Sequence, residues 1–414
     1  MTAAFTDATN VLKRLYADGV PLDLATRERV LLTKMTKVDD FAGDDMAIPI
    51  TVNNPQAAGP NPAVAFKAAF TGGTAANNYK RFLLTKYDLF NSVRLDRKAI
   101  MAARAKGRGA FVDLLEDRTN GMLDAMGDVA STWLYGDGTA QIGVRGSLSS
   151  ETVTLSIATD AAKFYAGQQL VVYNGTGASY RTITAGSGDG GNYVTVASVD
   201  EENGKFTLTT GDAAAIGSFT DGDAFAPAGV TSSLQAWPGL AGWLPLTTPS
   251  ATTFFGVDRS VDPTRLAGVR LDNSTASIES NIMTVSERCN TIFAGRERSC
   301  FINPVNFTTL SLSLDSKHVY NDDGDGTVGF EYIKVRTSAG AVRVYADPAC
   351  PTNRGYVLDL STWKFHHMGG FPHIIDDNGL MLEPIDSTNS VLIKGALYGA
   401  PACSAPGSNG VFSI

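Results

Sequence analysis

The middle of the chain alternates apolar and polar residues in short runs, and glycine-rich clusters separate these runs. Alternation with period two places every second side chain on one face, which is typical of β-strands, and the clusters are typical of turns between antiparallel strands. The runs are Thr152–Ile157, Gln169–Tyr173, Tyr193–Ala197 and Lys205–Thr209. This pattern predicts a small β-barrel or β-sandwich over residues 148–230, inserted into a larger domain.

A different pattern precedes this block, because apolar residues there recur three and four positions apart. This spacing predicts an amphipathic helix from Asp96 to about Tyr135. Its apolar stripe consists of Phe111, Leu114, Leu115, Met122, Met126, Val129 and Trp133. Gly107 and Gly109 predict a bend near the start of the helix, and Gly136-Asp-Gly138 predicts its end.

Two extended runs lie upstream of this helix, Met46–Val52 and Tyr79–Val93. The segment after the first run, Asn53–Pro62, is rich in proline, glycine and asparagine, so we expect a turn-rich tip that is not helical. The two runs therefore predict a long protruding hairpin. Before it, residues 8–16 predict a short helix followed by an irregular arm.

The last third of the chain mixes both periodicities, which predicts an α+β arrangement. The predicted elements are a helix over Ser277–Ala294, a buried strand over Cys300–Asn303, a helix from Pro304 through Leu314, a hairpin of Tyr332–Thr337 with Ala341–Ala346, and a strand over Gly355–Leu360. No internal repeat is visible, which argues against a solenoid or a fibrous array.

Composition limits the class of protein. The chain has 414 residues, 34 Lys and Arg against 42 Asp and Glu, and a net charge of −8. A single core stops growing near ~250–300 residues, so more than one domain is expected. The acidic balance argues against a protein that mainly grips nucleic acid backbones. The segment 145–256 holds four basic and nine acidic residues, so the charge deficit is concentrated in the predicted β-block.

Two glycine-rich loops resemble ligand sites only in part. Residues 186–191 match a GxGxxG pattern, but neither a helix nor a lysine follows them, so a turn is favoured over a phosphate loop. Residues 321–326 resemble the first half of a calcium loop, but Glu331 falls one position short of the distal ligand. An acidic solvated loop is favoured there. We therefore predict no cofactor and no metal.

Catalytic groups are sparse. His366, His367 and His373 form the one histidine cluster, and adjacent residues of a strand point to opposite faces, so a structural role is favoured over a metal site. The cysteines, Cys289, Cys300, Cys350 and Cys403, contain no CxxC pair and are expected to be reduced and buried. No GxSxG motif occurs. The sequence predicts a protein that is not an enzyme.

A basic segment opens the predicted long helix. Arg97, Arg104 and Arg108 share one helical face, which could meet DNA, carboxylates of a neighbouring protein, or solvent. No aromatic residues are interleaved for base stacking, so a solvated or protein-facing stripe is favoured. The N-terminus does not resemble a secretory signal, and no run approaches the ~18 apolar residues of a membrane helix. A soluble protein made in the cytoplasm is expected.

The order of these parts resembles the major capsid protein of tailed bacteriophages, which has the Hong Kong 97-type fold. Met46–Val93 looks like the extended E-loop and Leu95–Tyr135 like the spine helix. Tyr332–Val335, Val342–Pro351 and Gly355–Trp363 look like the axial domain, and Leu380–Tyr398 with Pro401 resembles the closing peripheral strands. The resemblance covers nearly the whole chain.

The resemblance implies an α+β fold with an inserted all-β domain. The implied domains are an N-terminal arm (1–45), the E-loop hairpin (46–93), a peripheral domain with the spine helix (94–147), the insertion domain (148–230), an axial domain (231–375) and a return to the peripheral domain (376–414). The implied intersubunit residues of the E-loop are Asn53, Pro55, Pro60, Phe66, Lys67, Phe70 and Lys80. We expect this loop to be ordered mainly by a second copy.

The implied function is structural. Copies would form hexamers and pentamers of an icosahedral shell, assembled in the host bacterial cytoplasm and located in the virion. The shell would enclose double-stranded DNA with weak non-specific contact, beside a portal protein and separate scaffolding or decoration proteins, without a membrane. The alternatives are a β-rich adhesin or decoration protein that presents 148–230 to a receptor, and a hydrolase in which His366 or His367 meets an acid and a nucleophile.

Overall fold

The computed structural model describes most of the chain. The described residues are 29–53, 60–63, 78–97, 114–175, 179–184, 193–230, 235–293, 297–315, 332–338, 340–376, 383–384 and 390–414.

The helices of the described residues are mostly short. They are α1 (Val30–Lys34), α2 (Leu114–Tyr135), α3 (Asp212–Ala215), α4 (Leu240–Trp243), α5 (Pro263–Ala267), α6 (Ile278–Ile292) and α7 (Pro304–Asp315).

The strands form three main sheets and two hairpins. They are β1 (Thr36–Asp39), β2 (Asp45–Asn53), β3 (Asn78–Thr85), β4 (Tyr87–Asp96), β5 (Gly143–Ser149), β6 (Thr152–Leu155), β7 (Gln169–Tyr173), β8 (Val194–Asp200), β9 (Lys205–Leu208), β10 (Ala224–Pro227), β11 (Thr253–Phe254), β12 (Val257–Asp258), β13 (Val269–Leu271), β14 (Ser299–Ile302), β15 (Ile333–Thr337), β16 (Gly340–Ala346), β17 (Arg354–Leu358), β18 (Trp363–Ile374), β19 (Glu383–Pro384), β20 (Ser390–Cys403) and β21 (Gly410–Ser413).

A six-stranded mixed sheet contains most of the last third of the chain, in the order β13-β21-β17-β14-β16-β15. Helix α6 packs on it through Ile282, Val285 and Cys289, which are fully buried. The helix begins where the Ser277 hydroxyl accepts a hydrogen bond from the amide of Ser280 at 3.3 Å, a standard N-cap. The predicted helices, the buried strand β14 and the β15–β16 hairpin are confirmed.

The middle block is a closed barrel in the order β10-β5-β6-β9-β8-β7. Of the two architectures expected from the alternating pattern, the barrel is therefore the observed one. Its interior is aromatic: Phe164 stacks on Phe206 with ring centroids 4.5 Å apart, and Phe225 meets both rings edge to face. These side chains form a hydrophobic core separate from that of the rest of the molecule.

A five-stranded sheet joins the two ends of the chain. Its path is β1-β18-β20-β19, and β4 pairs with the other side of β20. Strand β1 runs parallel to β18, whereas β4 and β18 are antiparallel to β20. Helix α2 packs on one face of this sheet through Met122 and Met126, which approach the backbone of Gly395. The predicted end of this helix at Tyr135 is confirmed.

The second extended run differs from the prediction in its pairing. Residues of β3 pair with β2, but the chain then passes to β4, which pairs with β20 along its whole length. Leu95 and Asp96, expected to open the spine helix, lie in this strand because the ladder continues to the pair Asp96–Ser390. Pairing with a distant strand outweighs local helical preference here. The predicted bend at residues 107–109 and the helix over 8–16 lie outside the described residues.

The tip of the hairpin also differs from the prediction at its end. Pro62 and Ala63 are helical. The side-chain oxygen of Asn61 accepts a hydrogen bond from the amide of Ala63 at 3.0 Å. Proline is well tolerated in the first turn of a helix, where its missing amide proton has no partner in any case. The expectation of a tip without helix over Asn53–Pro62 is therefore wrong at its last residue, Pro62.

Candidate assembly surfaces

The β2–β3 hairpin is anchored at its base by aromatic packing. The Phe82 ring meets the Trp243 ring edge to face at 5.0 Å, and the amide of Leu83 donates to the carbonyl of Phe255 at 2.9 Å. Farther along β3, Tyr79 is 63% exposed. An exposed tyrosine offers apolar area at a low entropic cost, which suits a contact with a second protein.

The predicted E-loop residues are not brought together as one site. Asn53 lies at the end of β2, paired in register with Asn78. Pro60 is exposed, and Lys80 is half-buried in β3. Pro55, Phe66, Lys67 and Phe70 lie outside the described residues, so their roles stay predictions.

The basic stripe is only partly described. Arg97 is exposed immediately after β4, whereas Arg104 and Arg108 lie outside the described residues. The neighbouring Arg94 donates to the Ser390 hydroxyl at 3.1 Å, so this cation is used within the sheet. The stripe as a unit stays a prediction.

The outer face of β4 exposes its side chains in the described structure, a feature that sequence reasoning missed. In β4, Asp88, Phe90, Ser92 and Arg94 are exposed, and the alternate residues face α2. Phe90 is 59% exposed and contacts Tyr398 edge to face at 5.7 Å. The alternation along β4 was visible in the sequence, but the partner strand that completes this aromatic patch was not.

The same strand also has an open edge. Among the described residues β4 pairs with β20 alone, so its second edge offers unpaired backbone donors and acceptors over a ten-residue strand. Open edges of this kind are templates for pairing with another chain. A groove of about 960 Å³ runs beside this edge, between β4, α2 and the base of the barrel, with Met126, Val129 and Trp133 in its wall.

Residues 29–41, here called the N-terminal strap, are bound to α2. The Arg29 guanidinium bonds the Asp128 carboxylate at 2.8 Å and the Asp124 backbone carbonyl at 2.8 Å. It lies directly over Gly127, where a Cβ atom would collide with it. The glycine therefore allows the strap to approach the helix closely.

The strap is also bound to the two sheets. Asp347, which follows β16 and is fully buried, accepts hydrogen bonds from the amide of Leu31 and the hydroxyl of Tyr135, both at 2.9 Å. Burial and the Asp347 carboxylate hold the pKa of Tyr135 well above its usual value. At the other end, Asp40 lies 2.7 Å from Nδ1 of His366 in β18. One buried carboxylate thus joins the strap, α2 and the six-stranded sheet.

The histidines and cysteines have structural partners. His366 and His367 alternate across β18, as predicted: the first meets Asp40, and Nδ1 of the second lies 2.8 Å from the carbonyl of Gly369. Within the described part of the chain, neither ring has a hydrogen bond to a serine, threonine or cysteine, so the triad required by the hydrolase alternative is not assembled there. The described residues also contain no group of three or more His, Cys, Asp or Glu placed to hold a metal ion.

All four cysteines are free and buried, as predicted. Burial raises the pKa of Cys289 and of Cys403 from 9.0 to about 12, and it also raises the pKa values of Cys300 and Cys350. Thiols held in the protonated form are poor nucleophiles. The two glycine-rich loops, 186–191 and 321–326, lie outside the described residues. No helix in the described ranges is long and apolar enough to cross a membrane.

Comparison with known proteins identifies the fold. No protein-family model matches the chain, and no curated protein matches it. Among solved structures, the capsid asymmetric unit of cyanophage A-1(L) aligns with a TM-score of 0.56 at 11% identity, over 98% of this chain and 97% of that chain. The capsid of a native GTA particle aligns with a TM-score of 0.48 at 9% identity, over 100% and 99% of the two chains. An encapsulin complex from Synechococcus elongatus aligns with a TM-score of 0.46 at 8% identity, over 98% and 94%. The alignment with the cyanophage capsid shows that the chain has the fold of a tailed-phage capsid protein, the Hong Kong 97-type fold, with a β-barrel between α2 and α4.

Proposed function

We propose that this chain is a major capsid protein, a structural subunit that self-assembles into the icosahedral shell of a bacteriophage. The observation that carries the proposal is the open β4 edge and its aromatic patch in a chain with this fold. A chain that leaves a long strand edge and a large exposed aromatic unprotected is expected to cover them by association.

The finer parts of the proposal follow from the same fold. Hexamers and pentamers would tile the shell, with the β2–β3 hairpin extending to a neighbouring copy. The six domains are proposed as before, with the insertion domain at 148–230, although its first barrel strand, β5, begins earlier, at Gly143. The subunit would carry no catalytic site, since the histidines and thiols of the described residues serve packing and hydrogen bonding.

The proposed contents of the shell are consistent with its charge. A subunit of net charge −8 encloses DNA without gripping it, because a phosphate backbone is not attracted to an acidic surface. A portal protein and separate scaffolding or decoration proteins are the further proposed partners. The virion is the proposed location, after assembly in the host cytoplasm.

The adhesin alternative is less well supported. An adhesin that used the barrel as its receptor-binding module would need no capsid fold in the remaining chain, yet the alignment with the cyanophage capsid spans 98% of this chain.

The test is electron microscopy of the expressed full-length chain, together with sedimentation velocity. Closed shells or rings of five and six subunits are expected. Fibres or trimers would favour the adhesin, and a protein that stays monomeric at every concentration, with and without a co-expressed scaffold, would contradict the proposal.

A further inference from the structure

A second concave feature lies in the six-stranded sheet region, away from the assembly surfaces. It is a pocket of about 320 Å³ between the α5–β13 turn and the last turns of α6. Thr264, Gly268 and Arg270 line it from the turn, and Arg288 and Thr291 line it from the helix. Two cations and the Thr264 side chain therefore line one small cavity, whereas the Thr291 hydroxyl donates to the carbonyl of Glu287 at 3.0 Å.

Arg270 and Arg288 differ from the neighbouring Arg265 because they form no ion pair with a carboxylate in the described part of the chain. Among the described residues, no carboxylate lies within 4 Å of Arg270 or Arg288. By contrast, Arg265 on the same turn bonds Asp262 at 3.0 Å. A guanidinium removed from water without an anion is unfavourable, and burial lowers the pKa of Arg270 accordingly.

The surrounding charges add to this positive potential. Arg259 is buried nearby and donates to the carbonyls of Gly242 and Trp243 instead of to an acid. Its pKa is lowered to about 10, mainly by burial and also by the charge of Arg270. Three guanidinium groups thus share one region with no carboxylate bound to any of them among the described residues.

The hydrogen-bond pattern leaves donors available. Arg270 is held in place because its Nη2 donates to the carbonyls of Pro263 at 2.7 Å and Gly268 at 3.2 Å. Its Nη1 has no hydrogen-bond partner in the described part of the chain. Arg288 makes one long bond, from Nη1 to the carbonyl of Arg270 at 3.3 Å. Both groups are therefore oriented, and each keeps an unused N–H face.

The C-terminus of α6 does not need Arg270 or Arg288 to balance its partial charge. The C-terminus of α6 carries partial negative charge, which attracts a cation. Arg298 supplies it, since its Nη2 donates to the carbonyl of Phe293 at 2.9 Å and its Nε donates to that of Ser408 at 3.1 Å. Arg288 is thus not required to compensate the helix end.

We propose that this pocket binds a phosphate-type oxyanion between Arg270 and Arg288, with the Thr264 hydroxyl as a further donor. Arg288 can offer the paired N–H groups of Nε and Nη2 to two oxygens at once, and Arg270, whose Nη2 is used by two carbonyls, can offer Nη1 as a single charged donor. A doubly charged anion balances the two cations. The phosphate is either free inorganic phosphate or the phosphodiester of a nucleic acid. This site is independent of the proposed shell function.

The test titrates inorganic phosphate into the full-length protein and follows its thermal midpoint, with sodium chloride used to keep the ionic strength constant. Wild type is expected to gain stability with a saturable dependence on phosphate. Arg288→Gln should weaken phosphate binding about tenfold or more, because it removes a charge-assisted hydrogen bond. Arg288 is exposed, so this variant is expected to fold. Thr264→Val should weaken binding by a smaller factor.

The matched control is Arg265→Gln, which removes an arginine from the same turn that already has an acid. It should bind phosphate as wild type does. Equal losses in Arg265→Gln and Arg288→Gln, or no phosphate effect beyond that of ionic strength, would overturn the proposal.

Two further arms identify the source of the phosphate. A short DNA duplex that competes with inorganic phosphate supports a phosphodiester ligand, and a duplex that does not compete supports free phosphate. Succinate should not replace phosphate. If succinate stabilises the protein equally and Arg288→Gln abolishes its effect, the pocket receives a carboxylate and the phosphate assignment is wrong.

Discussion

The β5–β10 barrel closes its ladder of hydrogen bonds on itself, whereas the five-stranded sheet ends at β4, whose second edge pairs with no other strand among the described residues. Both regions are largely antiparallel, and both alternate buried and exposed residues. The barrel encloses its own phenylalanine core, but the sheet shares its core with α2 and exposes Phe90 on the opposite face. One region is completed by its own chain, and we propose that a second copy completes the other.

The cysteines and tryptophans divide the molecule in the same way. All four cysteines and all four tryptophans lie outside residues 143–227, in the body around the two sheets. Tryptophan fluorescence therefore reports the unfolding of the body alone, whereas far-UV circular dichroism reports the unfolding of both the body and the barrel. This separation makes the comparison experimentally accessible.

The largest expected effect is alkaline destabilisation of the body. Cys289 and Cys403 have folded pKa values of about 12 against 9.0 when exposed, so above pH 9 the unfolded state binds fewer protons than the folded state. Each thiol then lowers the free energy of unfolding by about 1.4 kcal/mol per pH unit, a contribution that is intact below pH 9 and lost as the pH rises towards 12. Urea unfolding followed by tryptophan fluorescence between pH 8 and 11 measures this slope.

The matched variant is Cys289→Ala, which should reduce the dependence of the unfolding free energy on pH by the contribution of one thiol, about 1.4 kcal/mol per pH unit. The core side chains of the barrel include no cysteine or tyrosine, and Tyr173 of β7 packs into the core of the body, so the alkaline loss should be confined to the body. If the free energies of unfolding of the body and of the barrel both fell from pH 9, this result would contradict the separation of the two cores.

The next effect concerns the barrel core. Phe206→Ala removes a fully buried ring that stacks on Phe164, and it should lower the free energy of unfolding of the barrel by about 3–5 kcal/mol. The tryptophan-monitored transition should move little, and shells should still form. Phe82→Ala is the counterpart of equal size in the body and should move the tryptophan-monitored transition instead.

A smaller effect is expected at the carboxylate that binds the strap. Asp347→Asn keeps one acceptor oxygen but turns the other into an amide donor, which then faces either the donors of Leu31 and Tyr135 or the amide of Ala349; this should cost about 2–3 kcal/mol in the body. Tyr135→Phe removes one of these bonds and should cost about 1–2 kcal/mol in the same urea titration. A loss in Tyr135→Phe as large as that in Asp347→Asn would show that the bonds from the amides of Leu31 and Ala349 contribute nothing to the cost.

The smallest effect on folding is expected at the open face. Phe90→Lys should change the free energy of unfolding by no more than about 0.5 kcal/mol, since this ring is mostly exposed. The same change should prevent shell formation in sedimentation and electron microscopy, because it places a charge in the proposed contact. Tyr165→Lys alters an exposed aromatic of the barrel and should leave assembly intact. If Phe90→Lys formed normal shells, the exposed face of β4 would not be part of the interface between subunits.

Local patterns in the sequence accounted for the elements that stabilise themselves over short distances. The barrel strands follow from period-two alternation between turns, α6 follows from its apolar face and the Ser277 cap, and the β15–β16 hairpin joins neighbouring strands. Burial of the four cysteines also followed, because they lack any pairing motif. In each case the deciding interactions lie within a few tens of residues.

Tertiary structure alone decided the features that join distant parts of the chain. The pairing of β4 with β20, the bonds of Asp347 to Leu31 and Tyr135, and the pocket between Arg270 and Arg288 depend on residues that no periodicity relates. The sequence thus determined which segments become helix or strand, since propensity and amphipathic spacing act locally. The fold decided which edges and charges remain without partners, because a hydrogen bond or ion pair exists only once both of its members have been brought together.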